Sequence, residues 1–259
     1  MIANYHTHTT RCHHACGTDE EYVLAAIEQG LKTLGFADHT PQIYPNGYVS
    51  AAKMLPDETE NYVESVLHLR EKYKGKIDIR LGFETEYYPA LWDALLTLYR
   101  RYPIDYLILG QHHVGNESLP NSFCSFDETD DPAYARRFFA QELAALNTGR
   151  FTYLAHPDVL RYTGDASAYK AACRPLVERA KDMRVPLEIN LLGLRFGRHY
   201  PNPLFWEVVG EVGANAILGC DAHNPKHVAV PHEIEEAKAF ASSFGVQLLD
   251  DISLVNPLF

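Results

Sequence analysis

The stretch Ile2–His8, with the sequence IANYHTH, places two histidines at alternate positions directly after a short apolar run. Alternate side chains of an extended strand point to the same face, so His6 and His8 can reach one ion from one side. An isolated pair of this kind is more often solvated on an edge strand. Here further His, Asp and Glu clusters recur after other short apolar runs, and they favour a metal site.

The composition is that of a globular protein, since 46% of the 259 residues are hydrophobic and 22% are charged. The net charge of -11 argues against a surface that binds nucleic acid through phosphate contacts. No segment approaches the roughly 20 apolar residues of a membrane span, and the N-terminus lacks a signal sequence. We therefore expect a soluble, cytoplasmic protein that has no nucleic-acid or membrane partner and acts on a small molecule.

The cysteines predict reduced thiols, because their number is odd and no C-x-x-C pair occurs. The five are Cys12, Cys16, Cys124, Cys173 and Cys220. The position of Cys12 and Cys16 beside two histidines raises a ligand role, but small buried thiols are the favoured interpretation for all five.

Strand and helix patterns alternate about seven times along the chain, without a linker or a low-complexity segment. Thr18 and Glu21 predict a capping box at the start of the first helix, which ends near Gly30. Such alternation predicts a parallel sheet with helices packed outside it. The predicted strands are 2–5, 33–37, 76–83, 106–109, 151–155, 186–190 and 214–218, with a closing segment at 246–249.

The polar clusters fall at the C-terminal ends of the predicted strands, and this decides between two α/β architectures. In a barrel these ends converge on one mouth, whereas an open sheet gathers ligands from only two or three strands. No G-x-G-x-x-G follows the first strand, so the dinucleotide-binding open sheet has no support. We expect one TIM-like barrel domain over residues 1–259, with these residues at its mouth: His6, His8, His39, Glu84, His112, His156, Asp221 and His223.

With His14 from the loop after the first strand, the potential ligands number nine, too many for one ion. They suit two or three divalent ions that share a bridging carboxylate, and imidazole with carboxylate favours Zn, Fe or Mn. Such a site supplies hydroxide near neutral pH and can hold both oxygens of a phosphoryl transfer. Hydrolysis of a phosphate ester is the chemistry that this pattern indicates.

Seven motifs, in order along nearly the whole chain, resemble those of the PHP (polymerase and histidinol phosphatase) superfamily. They are His6–Thr9, His14–Ala15, Ala37–His39, Gly82–Glu84, Gly110–His112, His156–Asp158 and Cys220–His223. Three stretches resemble the stand-alone histidinol-phosphate phosphatases in particular: Asn4–Thr9, Gly35–Pro41 and Glu188–Asn190.

This resemblance implies a distorted (β/α)7 barrel that holds three metal ions. The implied ligands are His6, His8, Glu84 and Asp221 for the first ion, Glu84, His112 and His156 for the second, and His14, His39 and His223 for the third. His112 is preferred over His113 because it lies seven residues after Asp105, and His14 over His13 because it lies six residues after His8.

The implied reaction is hydrolysis of L-histidinol phosphate to L-histidinol and phosphate, by in-line attack of a hydroxide shared by two ions. Glu84 and Asp221 are the expected catalytic residues, with Asp221 or a metal-bound water as proton donor to the leaving alkoxide. Arg161 and Arg195 follow barrel strands and are expected to contact substrate, and Arg198 is a weaker candidate. Asp38, Glu86 and Asp158 are expected to orient ligand imidazoles.

The main alternative is action on another small phosphate ester, such as a nucleotide or sugar phosphate. A metal-binding protein without catalysis is disfavoured by nine intact ligands, and a polymerase-associated nuclease by the net negative charge. A metal-dependent amidohydrolase would more often have a lysine at the strand end where this chain has Glu84. The long loops at 40–54 and 114–131 are expected to form the substrate pocket. Their Tyr44, Tyr48 and Phe123 offer aromatic walls without naming the substrate.

Overall fold

The computed structural model describes all 259 residues, and strands alternate with helices along the chain. Most strands are short, as expected of strands that are buried on both faces. The strands are β1 (Ala3–Asn4), β2 (Thr33–His39), β3 (Asp78–Thr85), β4 (Tyr106–Leu109), β5 (His113–Val114), β6 (Phe123–Cys124), β7 (Tyr153–Leu154), β8 (Leu187–Asn190), β9 (Ala216–Gly219) and β10 (Leu248–Leu249).

Eight α-helices connect these strands. No helix is both long enough and apolar enough to cross a bilayer. The helices are α1 (Asp19–Glu28), α2 (Thr59–Lys72), α3 (Trp92–Tyr99), α4 (Pro132–Leu146), α5 (Ala166–Met183), α6 (Leu191–Arg195), α7 (Pro203–Val212) and α8 (Pro231–Ser243).

Eight of the strands form one parallel sheet in the order β1-β2-β3-β4-β7-β8-β9-β10. The sheet curls until the residues after β1 meet those after β9, where Thr7 and Ala222 form a parallel bridge. There the His8 amide donates to the Ala222 carbonyl at 3.0 Å. Strand β10 pairs instead with Ala216 and Ile217 in the first half of β9. The barrel is therefore closed at the end where the histidines lie, and β10 extends the sheet at the opposite end.

This architecture confirms the expected distorted TIM-like α/β barrel, and each strand that the sequence predicts is found within a few residues. The register of β2 on β3 pairs His39 with Glu84, and the next pairing sets Glu84 beside Ile108. Parallel neighbours in register present their C-terminal residues at one level. The sheet thus brings polar residues that are distant in sequence to one end of the barrel.

Two local features differ from the sequence-based expectation. The stretch predicted as the long loop 114–131 contains an antiparallel pair, in which β5 bonds to β6. A short helix, α6, also follows β8 directly, and the Asn190 side chain caps it by accepting from the Gly193 amide at 3.0 Å. Pairs of two residues are too short to give a periodic sequence signal.

Tyr106 fills the barrel interior below the polar end. Its side chain is fully buried, and its hydroxyl donates to the carbonyls of Tyr5 (2.8 Å) and Phe36 (3.1 Å). A Cβ atom at Gly35 or Gly82 would overlap the Tyr106 ring, so these two strand positions accept only glycine. This packing joins β1, β2, β3 and β4 in a main core cluster of 68 buried residues.

The predicted capping box on α1 is confirmed, and it generates a stability prediction. The Thr18 hydroxyl accepts from the Glu21 amide at 3.3 Å, and the Glu21 carboxylate accepts from the Thr18 amide at 2.6 Å. We expect Thr18→Ala to lower the free energy of unfolding by about 1 kcal/mol in urea titrations, because one amide loses its partner. The control Thr97→Ala, at an exposed position inside α3, should change it by less than about 0.5 kcal/mol. Equal effects of both substitutions would contradict the capping role.

Candidate metal centre

The nine residues that the sequence proposes as ligands converge on one end of the barrel. Seven of them line a cavity of about 730 Å³, namely His14, His39, Glu84, His112, His156, Asp221 and His223. His6 and His8 are fully buried, and each places Nε2 3.6 Å from the Glu84 carboxylate, which lines that cavity. The convergence follows from the sheet, since these residues lie in or just after strands, or in the loop after β1.

Glu84, in β3, lies at the middle of this cluster. Its Oε2 atom is 2.9 Å from Nδ1 of His39 and 3.6 Å from Nε2 of both His6 and His8. Its Oε1 atom faces another pair, at 2.8 Å from Nε2 of His156 and 3.6 Å from Nε2 of His112. One carboxylate therefore points its two oxygens at two separate groups of imidazoles, as a bridging ligand would.

Asp221, after β9, closes the first of these groups. Its Oδ1 atom lies 3.2 Å from Nε2 of His8, 3.6 Å from Nε2 of His6 and 3.3 Å from Nδ1 of His223. The other oxygen accepts from the Asn190 side chain at 3.1 Å, which fixes the carboxylate plane. Asp221 has a positive φ of 45°, a backbone conformation that is unfavourable for a non-glycine residue and recurs at functional sites.

A third group of imidazoles lies beside the first. Ligand atoms of His8, His39 and His223 come within 4.8 Å of one another. The His223 ring stacks on His8 at 4.0 Å between centroids and on His14 at 4.6 Å. The Nδ1 atom of His14 is 2.7 Å from the Cys12 carbonyl, so this nitrogen donates and Nε2 is left free to bind an ion.

The structure separates the two pairs of adjacent histidines that the sequence left open. His112 directs Nε2 to Glu84, whereas Nδ1 of His113 faces Glu117 at 3.5 Å. His13 is exposed, and its Nε2 lies 3.3 Å from Glu58 on the surface side of the loop. The geometry thus favours His112 and His14 as members of the cluster.

Glu188, in β8, was not proposed as a site residue, although it is fully buried beneath the cluster. It accepts from Nδ1 of His6 at 2.8 Å and from the backbone amide of His156 at 3.0 Å. The first bond orients the imidazole of His6, and the second holds the backbone of His156 on the other side of Glu84. A Cβ at Gly219 would overlap the Glu188 carboxylate, so the neighbouring strand leaves room for it. The only sequence signal was the resemblance carried by Glu188–Asn190.

The carboxylates around the ligand residues, Asp38, Glu86 and Asp158, have different hydrogen-bond partners. Asp38 lies 3.4 Å from Nδ1 of His8, and Glu86 accepts from the His112 amide at 2.6 Å, so both can orient ligand residues. Asp158 instead accepts from the Trp206 indole at 2.9 Å and the Asn202 amide at 2.6 Å. No hydrogen bond joins Asp158 to an imidazole, so its expected orienting role stays a prediction.

Several buried polar atoms of the cluster have no hydrogen-bond partner. They are Nε2 of His6, His8 and His223, Nδ1 of His156, Oε2 of Glu84 and Oδ1 of Asp221. Leaving a buried polar atom unpaired costs free energy. Six unpaired atoms at one place therefore call for an explanation other than packing. Divalent cations would satisfy all of them except Nδ1 of His156, whose Nε2 atom is the one that faces Glu84, because lone pairs of imidazole and carboxylate converge here. The residues present therefore fit metal ions.

The protonation states also suit cations. Burial and the neighbouring His223 lower the pKa of His8 to about 3, and burial lowers the pKa of His39 to about 3 despite the nearby Glu84. Burial alone would raise the pKa of the Glu84 carboxyl, but His39 and the other imidazoles hold it well below its usual range. His8 and His39 are therefore neutral near neutral pH, and Glu84 is anionic, which are the forms that bind metal. Despite burial, the nearby carboxylates raise the pKa of His6, His156 and His223, so a cation would displace protons from these three imidazoles.

The two arginines expected to contact substrate do not reach the cavity. The Arg195 guanidinium is nearly buried and binds Glu233 through two hydrogen bonds, of which Nε–Oε1 measures 2.7 Å. Arg161 lies on the surface at 2.8 Å from Glu128. Both guanidinium groups are therefore engaged by carboxylates outside the cavity, and sequence position alone did not reveal these partners.

Arg198, the weaker candidate from the sequence, does line the cavity. Its guanidinium lies 5.6 Å from the centroid of the Phe126 ring and 5.9 Å from that of Tyr200, and it donates to the Tyr200 hydroxyl at 3.1 Å. No carboxylate lies within 4.0 Å of it. Lys53 also lines the cavity, but it pairs with Glu86 and Glu117. Arg198 is thus the cavity-lining cation whose charge is available to an anion.

The comparisons with known proteins agree with this geometry. The sequence pattern described as the PHP domain matches residues 4–191. A relative named probable histidinol-phosphatase, from Deinococcus radiodurans, is 27% identical over 231 residues, which cover 88% of each chain. A second relative of that name, from Schizosaccharomyces pombe, is 26% identical over 275 residues and covers 96% of this chain and 89% of its own length.

Among solved structures, histidinol phosphate phosphatase from Lactococcus lactis superposes with a TM-score of 0.74. That structure is complexed with zinc, L-histidinol and phosphate; it is 19% identical, and the match covers 98% of both chains. At this level of identity, the likeness shows the shared fold.

The position of Glu84 generates a prediction on metal content. Glu84→Gln keeps the size of the side chain but removes the negative charge that two groups of imidazoles share. We expect zinc-loaded and dialysed Glu84→Gln protein to retain fewer zinc ions per chain than the wild type, measured by plasma emission spectroscopy. The control Glu60→Gln, at an exposed position on α2, should keep the wild-type content. Unchanged zinc content in Glu84→Gln would exclude a bridging role.

Proposed function

This chain belongs to the PHP domain family, and on that premise we propose that it hydrolyses L-histidinol phosphate to L-histidinol and phosphate, a step in histidine biosynthesis. The observation that carries the proposal is Glu84, whose two oxygens face two groups of imidazoles at the base of an open cavity. Relatives named histidinol-phosphatase, which align over most of the chain, support this choice of substrate.

The residues present would hold two or three divalent cations, of zinc, iron or manganese. The first would bind His6, His8, Glu84 and Asp221, the second Glu84, His112 and His156, and the third His14, His39 and His223. Such ions, when bound, lower the pKa of a water molecule and neutralise charge on a phosphoryl group.

The chain's own residues would act on the substrate from the cavity wall. Asp221 lines the cavity as a carboxylate. Burial alone would raise its pKa, but His6 and the other imidazoles hold that pKa well below the usual range. It could accept a proton from the attacking water and pass that proton to the alkoxide that leaves. Asn190 and the nearby imidazoles hold this carboxylate in place. Arg198 would bind a phosphate oxygen, because its planar guanidinium is free of carboxylates and a phosphate dianion needs positive charge in this acidic chain.

The remaining cavity wall suits an amino alcohol that carries an imidazole. Tyr48, Phe126 and Phe196 line it and can pack against a planar ring. Glu117 lies on the same wall, where it pairs with Lys53 at 3.1 Å and accepts from the Tyr44 hydroxyl, so the ammonium group would share this carboxylate with Lys53. The volume of about 730 Å³ is within the usual range for a small-molecule pocket.

We place this reaction in the cytoplasm. All five cysteines are free in the structure, as expected where thiols stay reduced.

The substrate proposal is tested by phosphate release from L-histidinol phosphate beside a panel of nucleotides and sugar phosphates. We expect kcat/KM for histidinol phosphate to exceed every other value by about 100-fold or more, because only this ester carries both the ammonium and the imidazole. Treatment with a chelator should abolish release, and added zinc or manganese should restore it. Low and equal activity across the panel would exclude histidinol phosphate as the specific substrate.

The role of Arg198 is tested with Arg198→Ala and the matched control Arg161→Ala. Loss of one charge-assisted hydrogen bond to phosphate should lower kcat/KM about 10- to 100-fold in Arg198→Ala. Arg161→Ala should stay within about threefold of the wild type, because Arg161 pairs with Glu128 outside the cavity. The reverse order of effects would show that Arg161 moves into the cavity when substrate binds.

A further inference from the structure

Cys12 lies within the cluster of imidazoles, although it has no part in the function proposed above. Its side chain is fully buried at the end of a short 3-10 helix, Thr10–Cys12. The Cys12 sulfur and one nitrogen each from His14 and His223 come within 4.8 Å of one another. Sulfur and imidazole ligands of one zinc ion lie at comparable separations, since the Zn–S bond is about 2.3 Å and the Zn–N bond about 2.0 Å.

The backbone turn after Cys12 places His14 beside it. His13 adopts the left-handed conformation, with φ of 67°, and so turns the chain sharply after the 3-10 helix. Nδ1 of His14 then lies 2.7 Å from the Cys12 carbonyl, which holds the imidazole next to the cysteine.

An independent observation points to a ligand at the same place. The Nε2 atom of His223 is buried and has no hydrogen-bond partner, while its Nδ1 atom lies 3.2 Å from the Asp221 carbonyl. Nδ1 of His14 is likewise engaged by the Cys12 carbonyl. In both imidazoles Nδ1 is engaged by a backbone carbonyl, and packing alone does not explain the buried, unpaired Nε2 of His223.

The other deeply buried cysteines lack these features. Cys173, on α5, donates to the Lys170 carbonyl at 3.4 Å within its own helix. Cys220 accepts from the Ala229 amide at 3.2 Å. Cys12 combines full burial with the nearby ligand nitrogens of His14 and His223, and this combination distinguishes it from an inert core thiol.

We propose that Cys12 is a thiolate ligand of the cation that His14, His39 and His223 would hold. The thiol proton is released to solvent as the sulfur–metal bond forms, so charge and atoms balance. Burial raises the pKa of this thiol in the metal-free chain, and the cation must therefore displace the proton. A soft sulfur ligand selects zinc or iron over manganese at this position and leaves the other two positions unaffected.

This inference rests on the proposed function only in requiring that the metal centre forms, and spectroscopy separates the two. The metal-free protein is loaded with cobalt(II), the bound cobalt is counted, and the near-ultraviolet sulfur-to-cobalt charge-transfer band is recorded. We expect the band in the wild type and in the control Cys173→Ala, and we expect its loss in both Cys12→Ser and Cys12→Ala. Circular dichroism shows whether each variant is folded. Two substitutions of different polarity are used so that the test still holds if one variant does not fold.

Full cobalt loading of the wild type without the band, or a band that persists in folded Cys12→Ser, would overturn the ligand assignment and leave the proposed function intact. Failure to bind any cobalt would overturn both. Metal competition gives a second readout: we expect zinc affinity at one position to fall about tenfold or more in Cys12→Ser, with manganese affinity unchanged. Equal loss of zinc and manganese would indicate a structural role for the thiol.

Discussion

The shared carboxylate of Glu84 is the interaction on which the rest of this structure depends. A buried anion is stable only if its charge is compensated, and Glu84 sits between imidazoles on both of its oxygens. The imidazoles come from different strands, so the C-terminal ends of several parallel strands must lie close together. A barrel brings them together at one end. The bridge between Thr7 and Ala222 closes the sheet at that end and so holds the residues after β1 beside those after β9.

The surrounding chain is adapted to this one group. A Cβ at Gly110 would overlap the Glu84 carboxylate, so the residue that follows β4 must be glycine. Beneath it, Glu188 fixes His6 and the His156 backbone, and Asn190 fixes Asp221. These contacts hold the ligand atoms in place before any ion binds, which reduces the entropy lost on binding.

Sequence reasoning found the barrel and the cluster for the same physical reason. Apolar runs that end in histidine or carboxylate mark both the strands and the site, so the position of His39 or Glu84 could be inferred from local pattern. What could not be inferred depends on partners distant in sequence. Arg195 was expected to contact substrate, but it binds Glu233. Arg198, only three residues further along the chain, lines the cavity instead.

The same limit applies to Glu188 and to the short pair β5–β6. The sequence around Glu188 does not show that this residue will bind His6. The two-residue strands β5 and β6 are set by the surrounding loop, so local sequence does not predict them. Local pattern therefore predicts which residues reach the mouth of the barrel, while the geometry of the fold decides which of them face the cavity.

We expect Glu84 to bridge two cations. Anomalous diffraction from zinc-soaked crystals tests this role most directly. The account predicts two anomalous peaks, each about 2.0–2.2 Å from a different oxygen of Glu84, with His6 and His8 at one peak and His112 and His156 at the other. A single peak would contradict the bridging role of Glu84. So would a Glu84 carboxylate that contacts only imidazoles when zinc is bound.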